Sequence, residues 1–317
     1  MKFLLPAQFV SLPGAGEAWT LADSLRYTRW LARRHYENFN VASILLPRRL
    51  HQDFFNVYAF CRWADDLGDE MGDGARSLRL LDWWRQELRR MYQGETRHPV
   101  FVALSQTVAG HDLPEEPFSD LIRAFVQDQT VTRYPTYAEL LSYCVYSANP
   151  VGRLVLALCG YGDAERRRLS DATCTALQLA NFWQDVGRDL DKGRVYLPLE
   201  DMARHGYRLE DLPERRCNTS FRELMRDLVN RTRLLFLEGW PLVEQVDRRL
   251  AVDIELFSRG GLAILEKIRG QDYNVLARRP VLGAGDRVGL LARALWSAAR
   301  RKAAGPRPSG APAQTRT

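Results

Sequence analysis

Along most of the 317 residues apolar side chains return every three or four positions, the spacing of a helix with one buried face, while alternating β-branched runs closed by hairpin turns are scarce. The spacing predicts helices over 20–36, 51–69, 76–92, 98–109, 117–127, 136–147, 149–160, 164–190, 219–247, 249–269 and 285–302, an all-α chain. Proline and glycine punctuate them at Pro47, Gly110 to Pro117, Pro135, Gly160 to Asp163, Pro213 and Pro280. No linker splits the chain and no repeat of fixed period runs through it, so 19–303 is expected to form one domain behind an N-terminal segment, 1–18. Residues 304–317, rich in Pro, Gly and small polar side chains, have nothing to bury and are expected to be disordered.

Composition narrows this picture. A hydrophobic content of 46% fills a sizeable core. The five cysteines are an odd number without a CxxC pair, which argues against a disulfide framework or a zinc site and suits a reducing cytoplasm. The opening MKFLLPAQFV is too short an apolar patch for a secretory signal, and no run approaches the ~18 apolar residues of a membrane span. A formal charge of +6 points to an anionic partner, but arginine is spread over the whole chain without a nucleic-acid-binding motif, which argues against nucleic acid. The basic amphipathic stretch from Arg287 to Lys302 reads either as a last core-packing helix with a solvated face or as a helix docking on anionic lipid. The second reading makes the protein peripheral to the inner membrane.

Two polar interruptions of the apolar pattern carry the chemistry. In YAFCRWADDLGDE (58–70), Asp65 and Asp69 are four apart and share one face at the end of a helix whose preceding turns hold Val57, Tyr58, Phe60 and Trp63. In QLANFWQDVGRDLDKGRVYLP (178–198), Gln178, Asn181, Asp185 and Asp189 form a single polar stripe down an otherwise apolar helix. Like charges at this spacing repel, and inside a cavity they need a cation between them. Two carboxylate pairs with no His or Cys beside them suit a hard divalent ion, and Mg2+ fits best because substrate phosphate oxygens complete its octahedron. Arg62 stands ready either to contact the same diphosphate or to form an ordinary salt bridge. The surrounding aromatics suit a cavity in which a carbocation forms, although each one alone reads as core.

At these two motifs the chain resembles the squalene/phytoene synthase family, the head-to-head prenyltransferases. HYENF (35–39) with Leu45, Leu46 and Pro47 resembles the family's segment before the first aspartate motif, and the likeness runs from about residue 20 to 295. The resemblance implies a single-domain isoprenoid synthase, a helical bundle around a central active-site cavity. It implies Asp65, Asp69, Asp185 and Asp189 as magnesium ligands, with Asn181 beside them, and Asp66, Asn181 and Gln178 supporting metal or diphosphate. Arg62 and Asn38 would bind diphosphate oxygens, and Tyr143 and Asn149 would stand by the substrate. Asn149, before Pro150, also reads as a cap or turn residue.

Within the family, HYENFNVASILLP and YCVYSANPVGR (143–153) resemble the hydroxysqualene synthases of bacterial hopanoid synthesis. Relatives that join two prenyl chains more often carry a tyrosine where Val145 stands, which puts condensation in doubt. The implied reaction is ionisation of presqualene diphosphate, rearrangement of the cation and capture by water. No reductant is implied, and no glycine-rich dinucleotide fingerprint follows a strand. The alternatives are condensation of two prenyl diphosphates such as farnesyl diphosphate to presqualene diphosphate, squalene or phytoene, or a family member without activity.

Overall fold

Side chains that accept backbone N–H bonds mark where several helices begin. Asp73 accepts from Ala75 and Arg76, Asp163 from Arg166, Asn218 from Phe221 and Asp247 from Arg249 and Leu250, and Thr136 accepts from Glu139. His98, ahead of Pro99, caps its helix through Nδ1, which accepts from Val100 N–H at 3.3 Å. The computed structural model describes residues 3–9, 19–34 and 47–303, with side chains up to residue 300. Asn38 and the rest of 35–46, like 304–317, lie outside the described residues.

In chain order the helices of six residues or more are α1 (Leu21–Arg34), α2 (His51–Asp69), α3 (Gly74–Tyr92), α4 (Pro99–His111), α5 (Glu116–Gln127), α6 (Tyr137–Ser147), α7 (Asn149–Leu158), α8 (Ala164–Asp191), α9 (Leu199–Arg204), α10 (Thr219–Gly239), α11 (Arg248–Gly270) and α12 (Ala284–Ala303). Among the described residues no strand forms, and the only strand-like pairing is a parallel bridge between Arg133 and Val195. The helices expected from periodicity are present with small shifts at their ends. The exception is 219–247, which stops at Gly239: Pro241 has no N–H to donate, and a separate turn, Leu242–Gln245, follows. The short helix α9 was not foreseen.

Two apolar cores hold the bundle. α1 to α5 enclose one around Phe60, Trp63, Trp84, Phe101 and Phe118, and α8, α10 and the end of α11 enclose the other around Trp183, Phe221 and Phe236. α2 and α8 each sit at the centre of one core. They are not packed on each other but share α7 as a bridge. α12 packs on α11 through the small, buried Ala294 and Ala298, leaving Val288, Leu291, Leu295 and Trp296 exposed. No helix among the described residues is long and apolar enough to cross a membrane.

Candidate active site

The two aspartate-bearing helices run in the same direction. Phe54 near the start of α2 and Ser170, Thr173, Cys174 and Leu177 in the first half of α8 line one apolar cavity of about 280 Å³, together with Val151 and Gly152 of α7 and Leu250, Asp253, Ile254 and Phe257 of α11. At the other end, Asp69 of α2 meets Arg194 and Lys192, just past α8, at 3.3 and 3.9 Å. Phe54 to Asp69 and Cys174 to Asp189 each rise ~22 Å along their helices. Carboxylates therefore gather at one end of two parallel helices, and an apolar chamber lies at the other.

Local structure explains this arrangement. Gly193 takes φ +74°, a left-handed conformation that reverses the chain after α8. Val195 N–H then donates to Thr132 O at 2.8 Å, which pins the reversed segment and turns Arg194 back towards α2. On α8, Asp185 pairs with Arg279, whose Nη2 lies 2.9 Å from Oδ2. Asn181 is exposed and Gln178 and Asp189 are half-buried on the same side of the helix, so the polar stripe is accessible.

The remaining residues named from the sequence fall into different places. Asp66 is buried and ion-paired with Arg62 on its own helix, off the face of Asp65 and Asp69. Arg62 also reaches Asp65 at 3.3 Å and Glu70 at 3.1 Å, so its guanidinium is engaged by three carboxylates, the salt-bridge outcome. Asn149 is buried in the first turn of α7 and makes no capping bond; its side-chain oxygen accepts from Thr175 Oγ1 of α8 at 2.9 Å. The hydroxyl of Tyr143 donates to Asp128 Oδ2 at 2.9 Å, and its ring packs near Phe182 and Tyr196. Val145, two residues on and ~200° around the helix, is exposed. A tyrosine at 145 would therefore lie on a different face of the helix from Tyr143.

Asp128, Lys192, Arg194 and Arg279 escaped the sequence reading. Lys192 and Arg194 trail the second motif, but Asp128 and Arg279 come from a loop after α5 and a loop after α11 and carry no periodic signal. Burial pushes Asp128 up to about 6, against the pull of Tyr143 and Arg194 and helped by the charges of Asp69 and Asp65. Burial also pushes Asp189 and Asp66 up to about 7 and raises Asp65.

These carboxylates stand at helix ends where the backbone dipole is itself negative, and burial makes their charge costly unless a cation stands beside them. A divalent cation fits such a set, and every donor is an oxygen, the ligand of a hard ion. Among the described residues no three acidic, imidazole or thiol groups converge into a cage. A bound ion would therefore take part of its shell from water and substrate oxygens, as magnesium does.

Comparison with known proteins agrees with this geometry. A family model described as squalene/phytoene synthase matches residues 32–286. The chain is 35% identical over 282 residues to a phytoene synthase of Thermus thermophilus, covering 88% of this chain and 94% of that protein. It is 35% identical over 239 residues to a hydroxysqualene synthase of Rhodopseudomonas palustris, covering 74% of this chain and 80% of that one. The crystal structure of squalene synthase HpnC from Alicyclobacillus acidocaldarius superimposes with a TM-score of 0.77 at 47% identity, over 84% of this chain and 98% of that one.

Proposed function

The chain belongs to the squalene/phytoene synthase family of prenyl diphosphate enzymes, and from that premise we propose that it converts presqualene diphosphate to hydroxysqualene, a step towards hopanoids. One observation carries the chemistry: carboxylates and the cations paired with them gather at one end of two parallel helices, with an apolar chamber a helix length away.

In this reading Asp65 and Asp69 on α2, and Asp185 and Asp189 with Asn181 on α8, hold magnesium, which when bound neutralises the diphosphate and improves it as a leaving group. Arg194, Lys192 and Arg279 sit beside Asp69 and Asp185 and can turn from them to diphosphate oxygens. The C–O bond breaks and its electron pair leaves with the diphosphate. The cyclopropylcarbinyl cation opens and rearranges beside the departing diphosphate and one water captures it, while the apolar chamber can take up the hydrocarbon tails. The hydroxysqualene synthase likeness favours this outcome over condensation; the likenesses to the squalene synthase HpnC and to the phytoene synthase favour joining two prenyl diphosphates.

Incubation of the protein and magnesium with presqualene diphosphate is expected to yield hydroxysqualene, and with farnesyl diphosphate alone to yield nothing; turnover of farnesyl diphosphate would overturn the first choice. The apolar substrate also gives a use to the exposed Val288, Leu291, Leu295 and Trp296 of α12, flanked by Arg287, Arg293 and Arg300. This face suits peripheral docking on anionic lipid. Flotation with phosphatidylglycerol vesicles, lost in a Leu295→Glu/Trp296→Glu variant, is the expected result, and equal flotation of both proteins would refute it.

A further inference from the structure

A basic cleft lies beside the carboxylate end. α11, α12 and the loop between them enclose a cavity of about 770 Å³ lined by Arg259, Lys267, Arg278, Arg279 and Arg293, with Glu266 and Asp286 as its acids. Most of these charges are spent on neighbours. Arg259 pairs with the buried Glu255 at 2.7 Å, Lys267 with Asp286 at 2.9 Å, Glu266 with Arg269, and Arg279 with Asp185. Arg278 and Arg293 are left over: both are exposed, and neither makes an ion pair among the described residues.

The loop that carries two of these arginines is held on both sides. Gln271 Nε2 donates to Asn274 O at 3.1 Å and to Arg278 O at 3.0 Å, and the buried Gln184 of α8 donates through Nε2 to Pro280 O at 2.5 Å. Arg279 thereby reaches Asp185 on α8 while it also lines the cleft. One guanidinium touches both places, so the cleft begins where the carboxylate end stops. Two uncompensated guanidiniums call for an anion of at least two charges, and phosphate oxygens match their planar fork. A lipid headgroup is the poorer fit. Leu291 and Leu295, which would enter the lipid, each stand two residues from Arg293 and so ~160° around α12 from it. A membrane held by them lies across the helix from the cleft. A soluble phosphate anion remains, and a prenyl diphosphate enzyme liberates one at the adjoining site.

We propose that the cleft receives the leaving diphosphate: as the anion moves off the carboxylate end Arg279 turns with it, and Arg278 and Arg293 hold it before it passes to solvent. No bond forms or breaks in this step. The inference rests on the reading that the chain releases diphosphate, and its first test needs no turnover.

Inorganic diphosphate is titrated calorimetrically into the full chain in EDTA, where no metal can hold the anion on the aspartates. Wild type should bind it, and Arg278→Gln/Arg293→Gln should bind about tenfold or more weakly, having lost charge-assisted hydrogen bonds. Arg33→Gln/Arg34→Gln, which removes the same charge from the exposed face of α1, should stay within about twofold of wild type, because distant surface charges are screened. With magnesium and presqualene diphosphate in rapid quench, the cleft variant should form its first equivalent of diphosphate at the wild-type rate. Its steady-state turnover should then fall about fivefold or more, as release becomes limiting. The proposal is overturned if wild type binds no diphosphate in EDTA, if the cleft variant binds it as tightly as wild type, or if the α1 variant loses as much. It is overturned equally if steady-state turnover of the cleft variant is unchanged or falls no further than its first turnover. Binding of phosphatidylglycerol vesicles through Arg278 and Arg293, without binding of free diphosphate, would overturn it in favour of a lipid headgroup. A wild type that binds diphosphate in EDTA but releases none from presqualene diphosphate would instead overturn the proposed function itself.

Discussion

Arg194 is the residue whose replacement separates stability from chemistry most cleanly. Its Nη2 lies 3.3 Å from Asp69 Oδ1, with Lys192 beyond at 3.9 Å. At 3.3 Å a unit charge pair is worth about 5 kcal/mol at an effective dielectric of 20 and about 1 kcal/mol in water. Asp69 is 36% exposed and Arg194 20%, so the solvent-screened end of that range applies and the pair stabilises the fold by about 1 kcal/mol or less. Arg194→Met should therefore barely move the urea midpoint. Its effect on substrate is larger, because a charge-assisted bond to a diphosphate is worth about 1.5–3 kcal/mol, so kcat/KM should fall roughly ten- to a hundredfold. Magnesium should respond in the opposite sense. With magnesium on Asp69 as proposed, Arg194 would compete with the metal for that carboxylate, and removing a competitor worth about 0.5–1 kcal/mol should lower the half-saturating magnesium concentration about two- to fivefold. Steady-state kinetics across a magnesium titration reads both quantities. If KM and the magnesium requirement rise together, or neither moves, Arg194 does not alternate between Asp69 and diphosphate.

Other outcomes follow from the same geometry. Asp65→Ala or Asp185→Ala should lower diphosphate release by roughly a thousandfold or more while circular dichroism stays native, because metal assistance supplies several kcal/mol; turnover preserved in both would refute the metal assignment. A Cβ on Gly239 would lie 2.8 Å from Leu169 O and 3.0 Å from Thr173 N of α8, backbone atoms that no rotamer change can move. Gly239→Ala should therefore destabilise by about 1–2 kcal/mol, an overpacking cost partly offset by helix propensity, and Thr173→Ala should not rescue it in urea denaturation. A Cβ on Gly152 would clash with Ser170 Oγ and Cys174 Sγ, both side-chain atoms, so adding Ser170→Ala and Cys174→Ala to Gly152→Ala should restore stability. Burial pushes His98 down to about 3, so the folded protein stays unprotonated where the unfolded chain binds a proton. Stability should then fall as pH drops below about 6.5, by up to about 1.4 kcal/mol per unit. His98→Asn, which keeps a capping side chain, should flatten that slope; an unchanged slope would place the acid sensitivity elsewhere.

The helices were legible because burial of one face imposes its period directly on the chain, as in α2 and α8, where even the aspartate pairs follow from spacing. The break at Gly239 was hidden because Leu235, Leu242 and Val243 continue an apolar pattern across it, and only the missing N–H of Pro241 ends the helix. Within the site, residues on one helix could be grouped from sequence, but groups joined by tertiary folding could not. Asp128 and Arg279 become neighbours of the aspartates only once α5 and the loop after α11 are in place. Arg62 shows the converse: spacing allowed either a ligand contact or a salt bridge, and the nearby Asp65, Asp66 and Glu70 take it into the second.

Asp253 was visible in principle as an acid inside the apolar stripe Leu250, Ile254 and Phe257, yet a stripe says only that a face is covered, not by what. That difference bears on how one fold can give different products. In the proposed function the carboxylate end answers to the diphosphate, whose charge is the same whether two chains are joined or one cation is trapped, so residues there would not by themselves choose the product. The fate of the cation is decided where its carbon skeleton lies, among side chains that touch hydrocarbon. Exchanging side chains along α11 is therefore expected to redirect product while leaving ionisation intact, and exchanging aspartates on α2 and α8 to do the reverse.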